Sequence, residues 1–320
     1  MGQRLARTEL FAEWRNGNMV VASMTETTGR YIFCHSGTGT DGVGNGFAPD
    51  DPVATIDYGI GLATASVGDV LIVMPGHAES IAAAAGIVCD KIGLTIQGIG
   101  VGSNRPTVTV ITDTDADIDI DAASTTIKGI RFVSGVDSLK NILDVNAAYF
   151  WCEDCEFVSS NTFECINYVD LATTVDNFTF KKCVFRQPTD PDGTDNGVNT
   201  GCFYIVDSEN ILIEDCEFYG EFESAIFNNR AAGTACKNLW IRNCFGEQAL
   251  AGADILTLVT GATGGMQNCA WNLPDAADNT TWGTFVTAGQ GTYFGMHDVT
   301  FMGDNAAGEL LASAVATAST

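Results

Sequence analysis

The sequence is poor in positive charge. Its 15 lysines and arginines face 40 aspartates and glutamates in 320 residues, a formal net charge of −25. Such a surface repels phosphate backbones and anionic lipid, so neither nucleic acid nor membrane is expected as a partner. No apolar run approaches the roughly 20 residues that cross a bilayer. The opening MGQRLARTELFAEW holds acids and no apolar stretch, so it is not expected to act as a secretory signal. Zinc-type cysteine pairing is missing as well: Cys152 and Cys155 form a CxxC with no second pair at metal spacing. The cysteine total, 11, is odd, which excludes complete intrachain pairing. There is no GxSxG elbow, and no cofactor is expected.

What is present is a repeat. The segments TIKGIRF (126–132), FWCEDCEF (150–157), FTFKKCVF (178–185), ILIEDCEF (211–218), LWIRNCF (239–245), GGMQNCAW (264–271) and FGMHDVTF (294–301) share an apolar-x-apolar-polar-polar-Cys-x-aromatic pattern. The cysteine recurs at Cys155, Cys183, Cys216, Cys244 and Cys269, at intervals of 28, 33, 28 and 25. Ile130 and Val299 hold the same place at the two ends of the series. Second apolar segments lie between the copies, among them NILDVN (141–146), ECINYV (164–169) and GCFYIV (201–206). Period-2 alternation and Gly, Asn and Asp turns mark short strands, and helical periodicity is absent. A repeat of this length with two or three strands and no helix suits one rung of a right-handed parallel β-helix. The fold class is therefore all-β, with about seven to nine rungs of 25–33 residues.

Rungs stack about 4.8 Å apart, which places equivalent residues on top of one another. The five cysteines then form an internal ladder of free thiols, because a small apolar group suits that place. Phe132, Phe157, Phe185, Phe218, Phe245, Trp271 and Phe301 form an aromatic stack beside it. Cys165 and Cys202 are expected as a second stack, and Cys34 as an exposed or intermolecular thiol. Ahead of the repeats, Asp51-Pro52 is expected to start a capping helix that buries Ile56, Ile60 and Ala63.

The stretch from Tyr31 to Ser80 resembles the entrance of pectate-lyase-like β-helix proteins. YIFCHSGTGTDGVGNGFAPDDPVATIDYGI matches a strand, a Gly/Asp-rich loop and a short helix, and GDVLIVMPGHAESI matches a first coil. With GLTIQGIGVGSNRPTV the chain is still more similar to virion proteins of tailed bacteriophages, over residues 30–303. The resemblance implies a virion protein on capsid or tail, assembled in the host cytoplasm and trimeric. It assigns no chemistry, since β-helices host lyases, hydrolases and inert scaffolds alike.

The organisation read from the chain is an attachment arm (1–30), an entry strand, capping helix and first coil (31–88), the β-helix (89–303), and a C-terminal tail or cap (304–320). Arg4, Arg7, Arg15 and Arg30 against Glu9, Glu13 and Glu26 leave the arm at +1, whereas the body carries −26. LARTELFAEW is expected as a short amphipathic helix with Leu5, Leu10, Phe11 and Trp14 as anchors to other virion proteins.

Four places could carry chemistry. His77, Glu79 and Ser80 follow a strand and lie on one turn, where a solvated role is expected, so that loss of His77 or Glu79 costs under about 0.5 kcal/mol. Glu153, Asp154, Glu214 and Asp215 are repeat-equivalent carboxylates; they suit a glycan-cleaving pair or, by preference, a salt-bridged outer ladder with Lys181. Asp113, Asp115, Asp117, Asp119 and Asp121 alternate, which puts them on one strand face suited to a hard cation. Asp190, Asp192 and Asp195 resemble half of a calcium loop. Polygalacturonase-type GHG, RIK and NTD motifs are missing. The expectation is a non-catalytic structural protein of the particle, with a spike that binds or cleaves host surface polysaccharide as the alternative.

Overall fold

The computed structural model describes residues 12–15, 18–21, 27–160, 162–171, 175–187, 201–222, 225–229, 235–248, 254–273, 286–288 and 293–303. These form a parallel β-helix with three sheets of ten, nine and eight strands. One coil contributes a strand to each sheet in turn; Trp151–Glu153, Glu156–Val158 and Val169–Leu171 make one such coil. The eight strands of the third sheet agree with the expected seven to nine rungs. Every neighbour pair within these sheets is parallel and in register, as in Phe132↔Phe157↔Phe185↔Phe218.

The repeat pattern records one corner. Between the first and second sheets the chain turns on a single residue with positive φ, between 51° and 68°: Gly129, Asp154, Lys182, Asp215, Asn243, Asn268 and Asp298. Asn, Asp and Gly tolerate this region best. Each corner amide donates to the next coil, as Asp154 N–H does to Lys181 O (3.0 Å) and Lys182 N–H to Glu214 O (3.0 Å). Asn243 Nδ2 donates to Asp215 Oδ1 (3.1 Å) and Asn268 Nδ2 to Asn243 Oδ1 (3.3 Å), so side chains repeat the link.

The cysteine follows at once and points inward. Cys155, Cys183, Cys216, Cys244 and Cys269 are free and at most 2% exposed. Cys216 Sγ donates to Glu214 O (3.3 Å) and Cys244 Sγ to Arg242 O (3.2 Å), across the bend itself. A small apolar group with a weak donor therefore fits the corner. Four phenylalanines stack beside them, with centroids 5.1, 4.6 and 5.1 Å apart from Phe132 to Phe218. Each such pair adds about 0.5–1.5 kcal/mol to its burial.

The stack ends differently from the expectation. Phe245 follows its cysteine directly, one residue early, and faces outward at 45% exposure. Gly246 takes the column place opposite Phe218. The Trp271 indole fills the room left there, since a Cβ on Gly246 would lie 3.0 Å from Trp271 Cζ3. Two thiol expectations also fail. Cys202 is level with Tyr168, whose N–H donates to Cys202 O (3.1 Å), while Cys165 bridges Leu139. Cys34 is fully buried, because Tyr31–Cys34 is the first strand of the first sheet.

The helix spans Ile56–Leu62 and buries Ile56, Ile60 and Ala63 as expected. Its cap is Thr55, which accepts from Tyr58 N–H, and not Asp51. Residues before it stay extended because Val53 bridges Cys34 and the Asp41 carboxylate takes the Ala54 and Thr55 amides. Gly59 is needed by contact: a Cβ there would lie 2.7 Å from Leu71 Cδ1. Both faces of strand Val70–Val73 are covered. Leu71 and Val73 enter the main core, while Val70 and Ile72 pack with Phe33 under Tyr31, Met74 and Ile99.

Trp14 lies in a strand, Ala12–Arg15, which pairs antiparallel with Asn18–Val21. Trp14 therefore does not lie in the expected helix. Leu5, Leu10, Phe11 and the tail 304–320 lie outside the described residues. No described helix is long and apolar enough to cross a membrane.

The ladder gives a direct test. A bulky maleimide added to native protein should leave Cys155, Cys183, Cys216, Cys244 and Cys269 unmodified over hours, and mass spectrometry should show labelling only after denaturation.

Candidate functional site

His77 occupies a buried network and not a solvated turn. Pro75-Gly76 does turn the chain, with Gly76 at φ 80° and His77 N–H donating to Met74 O (3.1 Å). The imidazole is then only 1% exposed. Ser36 N–H donates to its Nδ1 (3.0 Å), so that nitrogen carries a lone pair and Nε2–H faces Glu79 Oε2 (3.1 Å). Glu79 Oε2 also accepts from Ile56 N–H (2.9 Å) at the start of the helix. Cys34 Sγ lies 3.7 Å from Nδ1. Thiol, imidazole and carboxylate thus stand in the order of a nucleophilic triad. Burial, and then the charges of Glu79 and Asp41, push the Cys34 thiol far up, so no thiolate forms. The network ties the first coil to the cap. His77→Ala strands a buried amide and should cost about 1–3 kcal/mol in denaturant unfolding, well above an exposed position.

The repeat-equivalent carboxylates stand beside cations and amide donors on the outer face. Lys128, Glu153, Lys181, Glu214 and Arg242 form one in-register outward column. Lys128 Nζ meets Glu153 Oε2 at 3.1 Å and Lys181 Nζ meets Glu214 Oε2 at 2.5 Å. Asp154 is held by Arg105 (3.0 Å), and Asp215 by Asn243 with Lys181 at 3.8 Å. Asp190, Asp192 and Asp195 lie outside the described residues.

A different acidic row stands on the third sheet. The strands Ile118–Ile120, Leu143–Val145 and Val169–Leu171 each read apolar-Asp-apolar. Their register aligns Asp119, Asp144 and Asp170 on three successive coils, all facing outward and half-buried. The column continues through Tyr204, Asn228, Thr257 and Thr287. Asp117 joins the row beside Asp119 and accepts from Ala85 N–H (2.6 Å). The five alternating aspartates therefore do not share one strand. Asp113 and Asp115 form a turn, in which Asp115 N–H donates to the Asp113 carboxylate (3.0 Å), and Lys140 pairs with Asp115.

Partial burial and like charge act together here. Desolvation, then Asp117, Asp121 and Asp144, push Asp119 up to about 6. Desolvation and Asp144 push Asp170 up to about 6 as well. Asp117 and Asp144 are also raised, chiefly by burial. Up to about pH 6 the row therefore holds protons beside ionised neighbours. One carboxylate oxygen each from Asp117, Asp119 and Asp144 lie within 4.8 Å of one another. Three such oxygens fit part of the shell of a hard divalent cation, whose remaining places would fall to water or ligand.

Asp144 and Asp170 escaped the sequence reading. Their signal is the triplets Ile-Asp-Ile, Leu-Asp-Val and Val-Asp-Leu, spaced 25 and 26 residues apart, which is the period of the repeat.

No protein-family model matches the chain, and no curated protein matches it. Among solved structures, a rhamnogalacturonan lyase is similar, with TM-score 0.47 and 12% identity over 79% of this chain and 75% of that one. The expectation of a non-catalytic chain runs against this likeness and is withdrawn. At this level the likeness concerns the fold and assigns no residue.

The row has a pH signature. Folded carboxylates raised above the ordinary value of about 4 bind extra protons between about pH 4 and 6, so their stabilising contribution is present at low pH and lost as pH rises through 6. Asp144→Asn should raise the melting temperature at pH 7.5 and change it little at pH 4, as calorimetry at both would show.

Proposed function

We propose that the chain is a β-helix carried on the outside of a tailed-phage particle, where it binds and cleaves a polysaccharide along its third sheet. The observation that carries this reading is the stacked row of Asp119, Asp144 and Asp170, half-buried and raised in pKa on an otherwise regular outer face. Like-charged carboxylates stacked at rung spacing oppose folding, whereas Glu153 and Glu214 of the first sheet are paired with lysines. Perturbed carboxylates of this kind mark sites of chemistry.

The chemistry follows from the pair. Neighbouring rungs stand about 4.8 Å apart, close to the roughly 5 Å between the carboxyl groups of retaining glycosidases. The protonated member donates to the departing glycosidic oxygen. Its ionised neighbour attacks or stabilises the anomeric carbon, and water completes the cleavage. Tyr204, next in the column, offers a hydrogen bond to a sugar hydroxyl along the same line. A divalent cation held by Asp117, Asp119 and Asp144 is the second reading, favoured by the convergence of their oxygens. It would supply positive charge to an acidic substrate.

The resemblance of residues 30–303 to virion proteins supports the location, and the change of charge after the first thirty residues supports attachment through the N-terminal arm. Arg30 N–H donates to Asp69 Oδ1 (2.6 Å) and Thr27 bonds Gly68, so a truncation that tests the arm should stop at residue 26.

The test incubates the protein with purified surface polysaccharides of the host and follows new reducing ends and unsaturated products. Turnover that falls at least a hundredfold in Asp144→Asn, with Glu153→Gln and Glu214→Gln near wild type, is expected. Turnover untouched in Asp119→Asn and Asp144→Asn, or none on any host polysaccharide, refutes the reading. Loss of activity on chelation, restored by calcium, selects the cation reading.

A further inference from the structure

A second feature stands on another face. The outward positions of the first sheet form a central column that runs Thr126, Trp151, Thr179, Leu212, Trp240, Gly265 and Gly295. Threonine, leucine and tryptophan suit such places; two successive glycines do not, because Gly weakens a strand and commonly marks close approach of a ligand. Gly265 is explained within the chain. A Cβ on it would lie 2.7 Å from Trp240 Cζ3, so the indole lies across it. Among the described residues Gly295 has no such neighbour, since a Cβ there would meet nothing within 4 Å. It floors an open notch. Tyr293, 77% exposed, and His297, also exposed, flank it on the same strand, and Trp240 closes the side toward the preceding coils.

The wall is rigid and carries a cation. Trp240 Nε1 donates to Asn238 Oδ1 (2.7 Å), and the Arg242 guanidinium stacks over the indole at 4.8 Å. Glu214, its column neighbour, is taken by Lys181. Among the described residues no carboxylate forms an ion pair with Arg242, and its buried Nε has no hydrogen-bond partner. A pre-positioned indole, a phenol and a guanidinium around a bare floor match the apolar face and hydroxyl rim of one pyranose ring. The net charge of −25 repels a polyanion, so the matching sugar is neutral.

We propose that this notch is a second glycan site, which holds a neutral hexose unit of the polysaccharide away from the aspartate row. It rests on the reading that the chain handles a polysaccharide, but not on the identity of the cleaving residues.

Affinity electrophoresis through gels containing dextran, galactomannan or polygalacturonate tests it. Retardation by a neutral polymer is expected, weakened at least tenfold in Trp240→Ala and in Gly295→Leu and unchanged in Glu153→Gln. The Gly295 variant fills open space and leaves packing intact, so it remains informative if Trp240→Ala misfolds. Undiminished retardation of the Gly295 variant, retardation by polygalacturonate alone, or none by any polymer overturns the proposal. Turnover lost in Asp144→Asn without neutral-polymer retardation sinks the notch and leaves the cleavage reading standing. Neutral-polymer retardation that needs Trp240, in a protein without turnover, does the reverse.

Discussion

The structure depends on one constraint: each coil hydrogen-bonds the next in register, at about 4.8 Å. Everything else is a consequence of that stacking. An inward residue must fit its own copy above and below, so the core is a set of columns in which phenylalanine packs on phenylalanine. An outward residue must tolerate its copy as well, so charge alternates from Lys128 through Glu153, Lys181 and Glu214 to Arg242. Where the rule of alternation is broken, as at Asp119, Asp144 and Asp170, the chain holds like charges at contact spacing. That exception is the physical basis for treating the third sheet as the working face.

The stacked architecture was legible because it repeats. Cys155 and its copies mark the corner between two sheets, and their spacing yields the rung length directly. The capping helix was legible from Ile56 and Ile60, but its first residue was not, because the Asp41 carboxylate and the Val53 bridge are long-range partners. The same limit governs His77. Ser36 and Glu79 enclose it only once the entry strand lies beside the first coil. Phe245 was misplaced by a single position, which in a strand reverses the face. The acidic row needed both halves of the information: the Asp-centred triplets are visible in the chain, but only the register shows that they coincide.

The two candidate surfaces occupy different sheets and different coils, and they differ in chemistry. The aspartate row is titratable, partly desolvated and continuous with polar Tyr204 and Asn228. The Trp240 notch is aromatic and cationic, with an open glycine floor. A rod built of such coils keeps both in fixed relation, since neither depends on a loop for its position. The cysteines belong to neither. Their thiols are spent on the bend, where they reach the carbonyls two residues behind.

The corner also decides where the molecule is free to change. From Lys128 onward two residues, the first left-handed, join the first sheet to the second, whereas eight separate Gly98 from Thr107 in the coil before. Between the second and third sheets the joint is elastic: five residues separate Ile81 from Ile87, and ten separate Val158 from Val169. Descendants of this chain can therefore gain or lose segments along the second seam in every coil, and along the first only ahead of Lys128. The second seam borders the sheet that bears the aspartates, so changes of length there reshape the margin of that face without disturbing the rod.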